Sequence, residues 1–165
     1  MTERFIVGTD DRVWADVQPH GGLAWLSWRT TRLGMYAANP LETPLATPWL
    51  RLRRGDEIAA VHPVLGPTSG SSIAGDGERL LVRGDWAGVA YTARLELGET
   101  SWAWVLTLAV PDGGTEATLD VVAVQDVALA PPWLVRMNEF YGAQYLDVTP
   151  LCHPEAGTAV AVRQN

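Results

Sequence analysis

The sequence predicts an all-β fold: an antiparallel β-sandwich with little helix. Apolar and polar residues alternate along several short segments, and this period of two sends successive side chains to opposite faces of a sheet. Gly, Pro and Asp separate these segments at short intervals, and no stretch sustains the apolar spacing of a helix. Many short strands with frequent turns favour two packed sheets over an α/β fold.

The alternation is clearest between residues 89 and 127, which we predict to form a meander of three strands. The first two strands each have one apolar face, and a turn at residues 98–100 joins them into a hairpin. The apolar faces consist of Tyr91, Ala93, Leu95 and Leu97 on the first strand and of Trp102, Trp104, Leu106 and Leu108 on the second. The third strand is predicted at residues 118–127.

Further strands are predicted where a short apolar run is bounded by Gly, Pro or Asp, namely at residues 12–18, 23–29, 49–53, 80–83 and 158–163. Residues 66–77 are rich in Gly and Ser and indicate a mobile loop. Helical spacing comes closest at residues 133–145, but Pro131-Pro132 before this segment and Gly142 inside it argue against a long helix.

Size and composition indicate one globular domain over residues 1–165. The chain has 47% hydrophobic residues, and its length fits the roughly 100–150 residues of a common domain. No apolar run approaches the roughly 20 residues of a membrane helix, and the first residues lack the layout of a signal peptide. Cys152 is the only cysteine, so no internal disulfide is expected. We therefore expect a cytoplasmic protein without a membrane partner.

The charge distribution argues against nucleic-acid binding. The net charge is −7, and all twelve basic residues are arginines. Binding to phosphate backbones requires clustered cations, and the densest group here is Arg51, Arg53 and Arg54. We interpret these three as the solvated side and end of a strand.

Motifs that would carry catalysis or bind a metal are missing from the sequence. The glycine-rich stretch lacks the Gly-Lys-Ser/Thr ending of a phosphate-binding loop, and Gly70-Ser71-Ser72 lacks the strand and helix that flank a nucleophile elbow. His20, His62, Cys152 and His153 do not have the paired spacing of zinc ligands. We therefore assign no catalytic residue, no metal site and no cofactor to this chain.

A polar and aromatic segment is the main candidate for a binding surface. It follows Gln125-Asp126, and its candidate carbohydrate-facing or domain-facing residues are Asn138, Glu139, Tyr141, Gln144, Tyr145 and Asp147. One interpretation is an internal hydrogen-bond network that fixes a turn between sheets, because buried polar groups need partners. The other is a surface that contacts sugar or a neighbouring domain.

Several motifs in this order resemble the N-terminal region of the 1,2-β-oligoglucan phosphorylases, members of glycoside hydrolase family ninety-four. The resemblance extends over residues 20–165 and is carried by Asn39-Pro40-Leu41-Glu42, Trp49-Leu50-Arg51-Leu52, Trp102-Ala103-Trp104, Gln125-Asp126-Val127, the run 138–147, and Arg163-Gln164-Asn165.

The resemblance implies a supersandwich-like N-terminal domain of a longer multidomain enzyme, packed against a catalytic (α/α)₆ barrel. In such an enzyme a carboxylic acid protonates the glycosidic oxygen, while inorganic phosphate, a co-substrate, attacks the anomeric carbon with inversion. Both the acid and the phosphate-binding groups belong to the barrel, so the resemblance implies no catalytic residue here. Contact with a β-glucooligosaccharide and formation of a homodimer stay open.

Two other functions remain as alternatives. A free-standing carbohydrate-binding module would need a line of exposed aromatic side chains, for which the eight tryptophans are the source. A minimal glycosidase would need two carboxylates that face each other across a cleft.

Overall fold

The computed structural model describes residues 4–42, 46–110, 117–137, 144–155 and 157–165. It confirms an all-β fold, because these residues form thirteen strands and one short helix. The elements are β1 (Phe5–Gly8), β2 (Val13–Val17), β3 (Leu23–Trp28), β4 (Thr31–Arg32), β5 (Thr47–Arg54), β6 (Glu57–Pro63), β7 (Ser72–Gly75), β8 (Leu80–Trp86), β9 (Val89–Leu97), β10 (Trp102–Ala109), β11 (Thr118–Val124), α1 (Pro132–Met137), β12 (Leu146–His153) and β13 (Gly157–Gln164).

The strands form four antiparallel sheets. The first sheet has the order β1-β2-β3-β4 and the second has the order β10-β9-β8-β7. The third sheet has the order β11-β5-β6, and β12 pairs with β13 in a separate hairpin. No helix in the described ranges has the length and apolar character needed to cross a membrane.

One hydrophobic core joins the first three sheets, as expected for a sandwich. Side chains of β2 and β9 alternate between buried and more exposed positions, which is the pattern that predicted these strands. Its fully buried members are Val7, Val13, Ala15 and Val17 from the first sheet, Leu80, Val82, Ala93 and Leu95 from the second, Leu50 from the third, and Val64 and Leu65 from the segment after β6. Each such valine or leucine contributes about 1.5–3 kcal/mol by leaving water.

The predicted meander is wrong in its third strand. The hairpin of β9 and β10 is confirmed, with Trp104 opposite Leu95, but β11 pairs with β5 in the third sheet. Asp120 of β11 lies opposite Arg51, and its Oδ2 accepts hydrogen bonds from Arg51 and Arg53 at 2.7–3.1 Å. These bonds hold the pKa of Asp120 below its ordinary value. Opposite charges on neighbouring strands therefore favour this pairing.

The predicted mobile loop at residues 66–77 is also wrong in part. Residues Ser72–Gly75 form β7, which pairs with β8 along its length. The preceding turn is held by the hydroxyl of Ser69, which donates to the carbonyl of Gly66 at 2.9 Å. Gly and Ser were interpreted as loop residues, but here they occupy an edge strand, where pairing on one side is sufficient.

Tyr91 links the second and third sheets through hydrogen bonds. Its hydroxyl lies 3.0 Å from Nε2 of His62 and 2.8 Å from Oγ of Ser71, and Ser71 donates to the carbonyl of Val64 at 2.6 Å. All three contacts are satisfied together only if His62 carries its proton on Nε2 and Tyr91 donates to Ser71. Gly84, opposite Tyr91, leaves room for the ring, because a Cβ there would lie 2.4 Å from Cζ of Tyr91.

Candidate functional site

The structure describes three of the six sequence-predicted site residues, and these three lie on β12 or in the turn before it. Asn138, Glu139 and Tyr141 lie outside the described residues. Gln144 and Tyr145 are exposed in the turn that precedes β12. Asp147, on β12, accepts a hydrogen bond of 2.7 Å from Arg163 on β13, directly across the hairpin. Both side chains of this pair are well exposed to solvent, so the ion pair contributes at most about 1 kcal/mol.

The hairpin of β12 and β13 has one apolar face and one more polar face. Its register places Val148 opposite Val162 and Pro150 opposite Val160, so these four side chains point to the same side. We call them the apolar strip. Val148 and Val160 are each 59% exposed. Within the described residues, the hairpin makes no extended contact with any other element. The apolar strip therefore has no core of its own.

Helix α1 also has apolar side chains on its outer face. Trp133 and Met137 are four residues apart and share one side of the helix, and they are 62% and 79% exposed. The opposite side of the helix is buried, because Val135 packs in a small second core with Met35, Ala128 and Ala130. The helix is thus anchored to the sandwich while it presents two large apolar side chains to solvent.

A cavity of about 390 Å³ lies between α1 and the first sheet. Its walls come from distant parts of the chain, namely Trp25, Arg32, Met35, Tyr36, Ala37, Glu42, Val135 and Arg136. The guanidinium of Arg32 lies 3.6 Å from the centroid of the Trp25 ring, and that of Arg136 lies 5.0 Å from it. A cation over an indole ring is stabilised by the ring's quadrupole. One tryptophan therefore holds two arginines at this cavity.

Asp126 supports the loop that forms one wall of this cavity. The carboxylate is buried, and its Oδ2 accepts a hydrogen bond of 2.6 Å from the backbone N–H of Tyr36. Its Oδ1 is buried without a hydrogen-bond partner. Burial raises the pKa of Asp126, and this effect outweighs the opposing influence of the backbone N–H groups and of Arg32. Asp126 therefore ionises less readily in the folded chain than in water.

Replacing Asp126 with asparagine is expected to change how stability depends on pH. A raised folded-state pKa means that the contribution of Asp126 is greatest at low pH and is lost as the pH rises through the folded-state pKa. Asparagine cannot ionise, yet its carbonyl can still accept from Tyr36. Melting temperatures between about pH 3 and 8 should converge at the acidic end, below the ordinary pKa of an aspartate, with the variant melting higher at the basic end. A variant that melts below the parent by the same margin at every pH would disprove this account.

A second, larger and open cavity of about 830 Å³ offers fewer free polar groups to a ligand. It is lined in part by His20, Gln18 and Ser71. His20 is already bonded at both ring nitrogens, to the carbonyl of Asn39 and the N–H of Gly22. Gln18 donates to the carbonyl of Ala38, and Ser71 is engaged with Tyr91. Its polar side chains are therefore mostly occupied within the chain.

The structure gives no support to metal binding in the part of the chain that it describes, where no group of three His, Cys, Asp or Glu side chains could hold an ion. His20 lies in the turn before β3, His62 on β6 and His153 on β12, and Cys152 is exposed on β12. Sequence reasoning did not identify Trp25, Arg32 and Arg136. The sequence did single out Asp126 as part of a polar segment. No residue near it in the sequence indicated that it would contact the loop that follows the first sheet.

Comparison with known proteins identifies the relatives of this chain. A 1,2-beta-oligoglucan phosphorylase of Listeria innocua serovar 6a is 31% identical over 147 residues. The match covers 89% of this chain but 13% of the relative, so the chain spans about an eighth of that enzyme's length. The predicted relationship to the N-terminal region of such enzymes is confirmed. The family model described as the SOGP N-terminal domain matches residues 16–165, and the chain therefore belongs to this family.

Proposed function

We propose that this chain is a non-catalytic docking domain of an inverting glycoside phosphorylase that acts on β-linked glucooligosaccharides, with β-1,2-linked chains as the first candidates. It would pack against the catalytic (α/α)₆ barrel of the same enzyme in the cytoplasm. Membership of the SOGP N-terminal domain family and the name of the Listeria relative support the enzyme class. Inorganic phosphate would be the co-substrate of the barrel.

The uncovered apolar strip of the β12–β13 hairpin is the observation that carries this proposal. A two-stranded hairpin is marginally stable alone in water, and clustered exposed apolar side chains mark interaction sites. Val148 and Val160 are exposed on one face, while the opposite face carries the Asp147–Arg163 ion pair. Leu151 is also exposed on that opposite face, but the ion pair makes it the more polar of the two, which fits a hairpin whose apolar strip lies on a partner.

The acidic side chains of the described residues support a non-catalytic role. Asp16, Asp120 and Asp147 are paired with arginines, and the hydrogen bonds from Arg53 and Arg51 hold the pKa of Asp120 below its ordinary value. The pKa of Asp126 is raised by burial, which is a property that general acids also have. However, it is buried behind the loop at Tyr36 and is absent from the walls of the cavities described above.

The tryptophans give little support to the alternative of a carbohydrate-binding module. Seven of the eight are partly buried, and Trp133 is the one that is mostly exposed. Trp28, Trp86, Trp102 and Trp104 pack against the main core. Sugar binding by such a module relies on aromatic faces open to solvent. The tryptophans of this chain mainly complete the sandwich.

Association in solution tests the proposal. Residues 1–165 and the separately produced remainder of a parent phosphorylase are expected to form a 1:1 complex in analytical ultracentrifugation. An apolar interface of this kind should give a dissociation constant below about 10 μM. Failure to associate at about 100 μM, with both parts shown to be folded, would contradict a docking role.

A further inference from the structure

We propose that β10 pairs with β10 of a second copy of this chain, antiparallel and across a two-fold axis. This pairing would join the four-stranded second sheets of the two copies into one continuous sheet. β10 lies at the edge of its sheet, and within the described residues no strand pairs with its other side. The surface is separate from the apolar strip of the hairpin, so this inference does not rest on the proposed function.

The edge of β10 lacks the features that keep edge strands from pairing with other chains. Such edges are usually protected by short length, charged side chains, proline or a bulge. β10 has eight residues in unbroken register with β9. The sequence from Ser101 to Val110 contains no charged residue, no proline and no glycine. An open, neutral edge of this length is a ready template for another strand.

The other edge strands of the described residues each carry some protection. β1 and β7 have four residues each, and β4 has two. β6 contains Glu57 and Pro63, and a register shift interrupts its pairing with β5. β11 contains Asp120, and in the hairpin β12 contains Asp147 and β13 contains Arg163. In the described ranges, β10 is therefore the edge strand that is both long and unprotected.

The core-facing side chains of β10 are incompletely covered along this edge. Ala93 and Leu95 on β9 are fully buried. Leu106 and Trp104 lie opposite them on β10 and pack against the main core, yet both remain partly exposed. A strand beside β10 would cover this apolar surface, and its removal from water would stabilise the pairing.

The backbone groups on the open side of β10 come from alternate residues. In the turn before β10, the N–H of Gly98 donates to the carbonyl of Ser101 at 2.7 Å, so these two residues form a hydrogen-bonded pair. Antiparallel ladders alternate between hydrogen-bonded and non-hydrogen-bonded pairs, and the register of β9 with β10 is unbroken. The residues whose N–H and C=O groups point away from β9 are therefore Trp102, Trp104, Leu106 and Leu108.

These four residues are complementary to their own reversed order. With the two-fold axis at Val105, Trp104 lies opposite Leu106 of the second copy, and Trp102 lies opposite Leu108 of the second copy. Both pairs use the outward backbone groups, and large apolar side chains meet on the core side. Because the strand carries no charge, no like charges meet across the axis. A two-fold pairing of this kind also closes at two copies.

Analytical ultracentrifugation of residues 1–165 at about 150 mM salt tests the pairing. The chain is expected to dimerise with a dissociation constant below about 100 μM. Val105 is 37% exposed and faces itself across the axis, so Val105→Glu sets two like charges opposite each other. This variant should dimerise about tenfold more weakly or worse. Val61→Glu adds the same charge at an exposed valine of β6 and, as the matched control, should stay within about threefold of the parent.

A mixture of two variants tests the axis itself. Val105→Glu and Val105→Arg are each expected to be mainly monomeric when alone, with the circular dichroism spectrum of the parent. Mixing them should restore the dimer, because opposite charges then face each other across the axis. A variant that had simply lost its fold could not be rescued in this way.

Amide hydrogen exchange gives a readout that needs no substitution. The N–H groups of Trp104 and Leu106 should be protected by about tenfold or more as the concentration rises through the dissociation constant. Those of Val105 and Thr107, which bond to β9, should be protected at every concentration.

The proposal is overturned if residues 1–165 remain monomeric at about 1 mM, or if Val105→Glu dimerises like the parent. It is also overturned if the outward N–H groups of β10 become protected only when the separately produced remainder of a parent enzyme is added, which would assign this edge to a different strand. These results leave association through the hairpin untouched, because the apolar strip is not part of β10.

Discussion

Replacing Trp104 with alanine is expected to lower the free energy of unfolding by about 3 kcal/mol, as for other large-to-small changes at a core. Trp104 packs against the main core opposite the fully buried Leu95. Its Nε1 also donates a hydrogen bond of 3.1 Å to the carbonyl of Ala46. The substitution would leave this carbonyl without that donor. Urea denaturation followed by far-ultraviolet circular dichroism measures the loss.

The neighbouring residue provides the control for Trp104. Val105 points to the opposite, exposed face of β10, so Val105→Ala should cost less than about 1 kcal/mol. The contrast depends on the side-chain period of two along this strand. Similar losses in both variants would mean that β10 is not oriented as described.

Placing a glutamate in the apolar strip is expected to have the second large effect. Val160→Glu would bury a charge without a partner in the proposed interface with the catalytic barrel, at a cost of several kcal/mol. The affinity for the separately produced remainder of the enzyme should fall by about 100-fold or more, measured by isothermal titration calorimetry. In the isolated chain Val160 is 59% exposed, so the melting temperature should change little.

Ala161→Glu is the matched control for this change. Ala161 is the next residue on β13 and points to the face that carries the Asp147–Arg163 pair. The Ala161→Glu variant carries the same added charge on the side that is expected to remain in water. Its affinity for the remainder of the enzyme should therefore stay within about threefold of that of the parent. Equal weakening by both glutamates would show that the apolar strip is not the docking face.

The central strands could be predicted because one face of each strand packs against the hydrophobic core. β2, β9 and β10 alternate in burial along their length, and the same alternation is visible in their side-chain polarity. β6 and β12 were missed because their residues are mostly exposed on both faces, so that nothing forces polar and apolar residues to alternate.

Pairing partners could not be predicted from alternation. The period of two shows which side chains share a face but not which strand lies beside them, and so β11 was placed next to β10. Its actual neighbour is β5, where Asp120 meets Arg51 and Arg53. That contact spans 69 residues in the case of Arg51, and a single sequence gives no signal for it.

The candidate site was predicted only in its outline. The segment from residue 138 to residue 147 was identified as polar and aromatic, and its described members lie on or beside the β12–β13 hairpin. The cavity at Trp25 was missed, because Arg32 and Arg136 come from a short edge strand and a six-residue helix far apart in the chain. Both arginines contact the ring of Trp25, and nothing in the sequence marks this residue, since a single tryptophan in a strand is usually a packing residue.

Phosphorolysis by the isolated chain tests the proposed function most directly. Residues 1–165 are incubated with β-1,2-glucooligosaccharides and inorganic phosphate, and the release of glucose 1-phosphate is measured. A non-catalytic domain is expected to release none above the blank, while the full-length parent enzyme in the same assay releases it readily. Release by residues 1–165 alone, persisting through purification and abolished by Asp126→Asn or Glu42→Gln, would contradict the proposal and assign the chemistry to this chain.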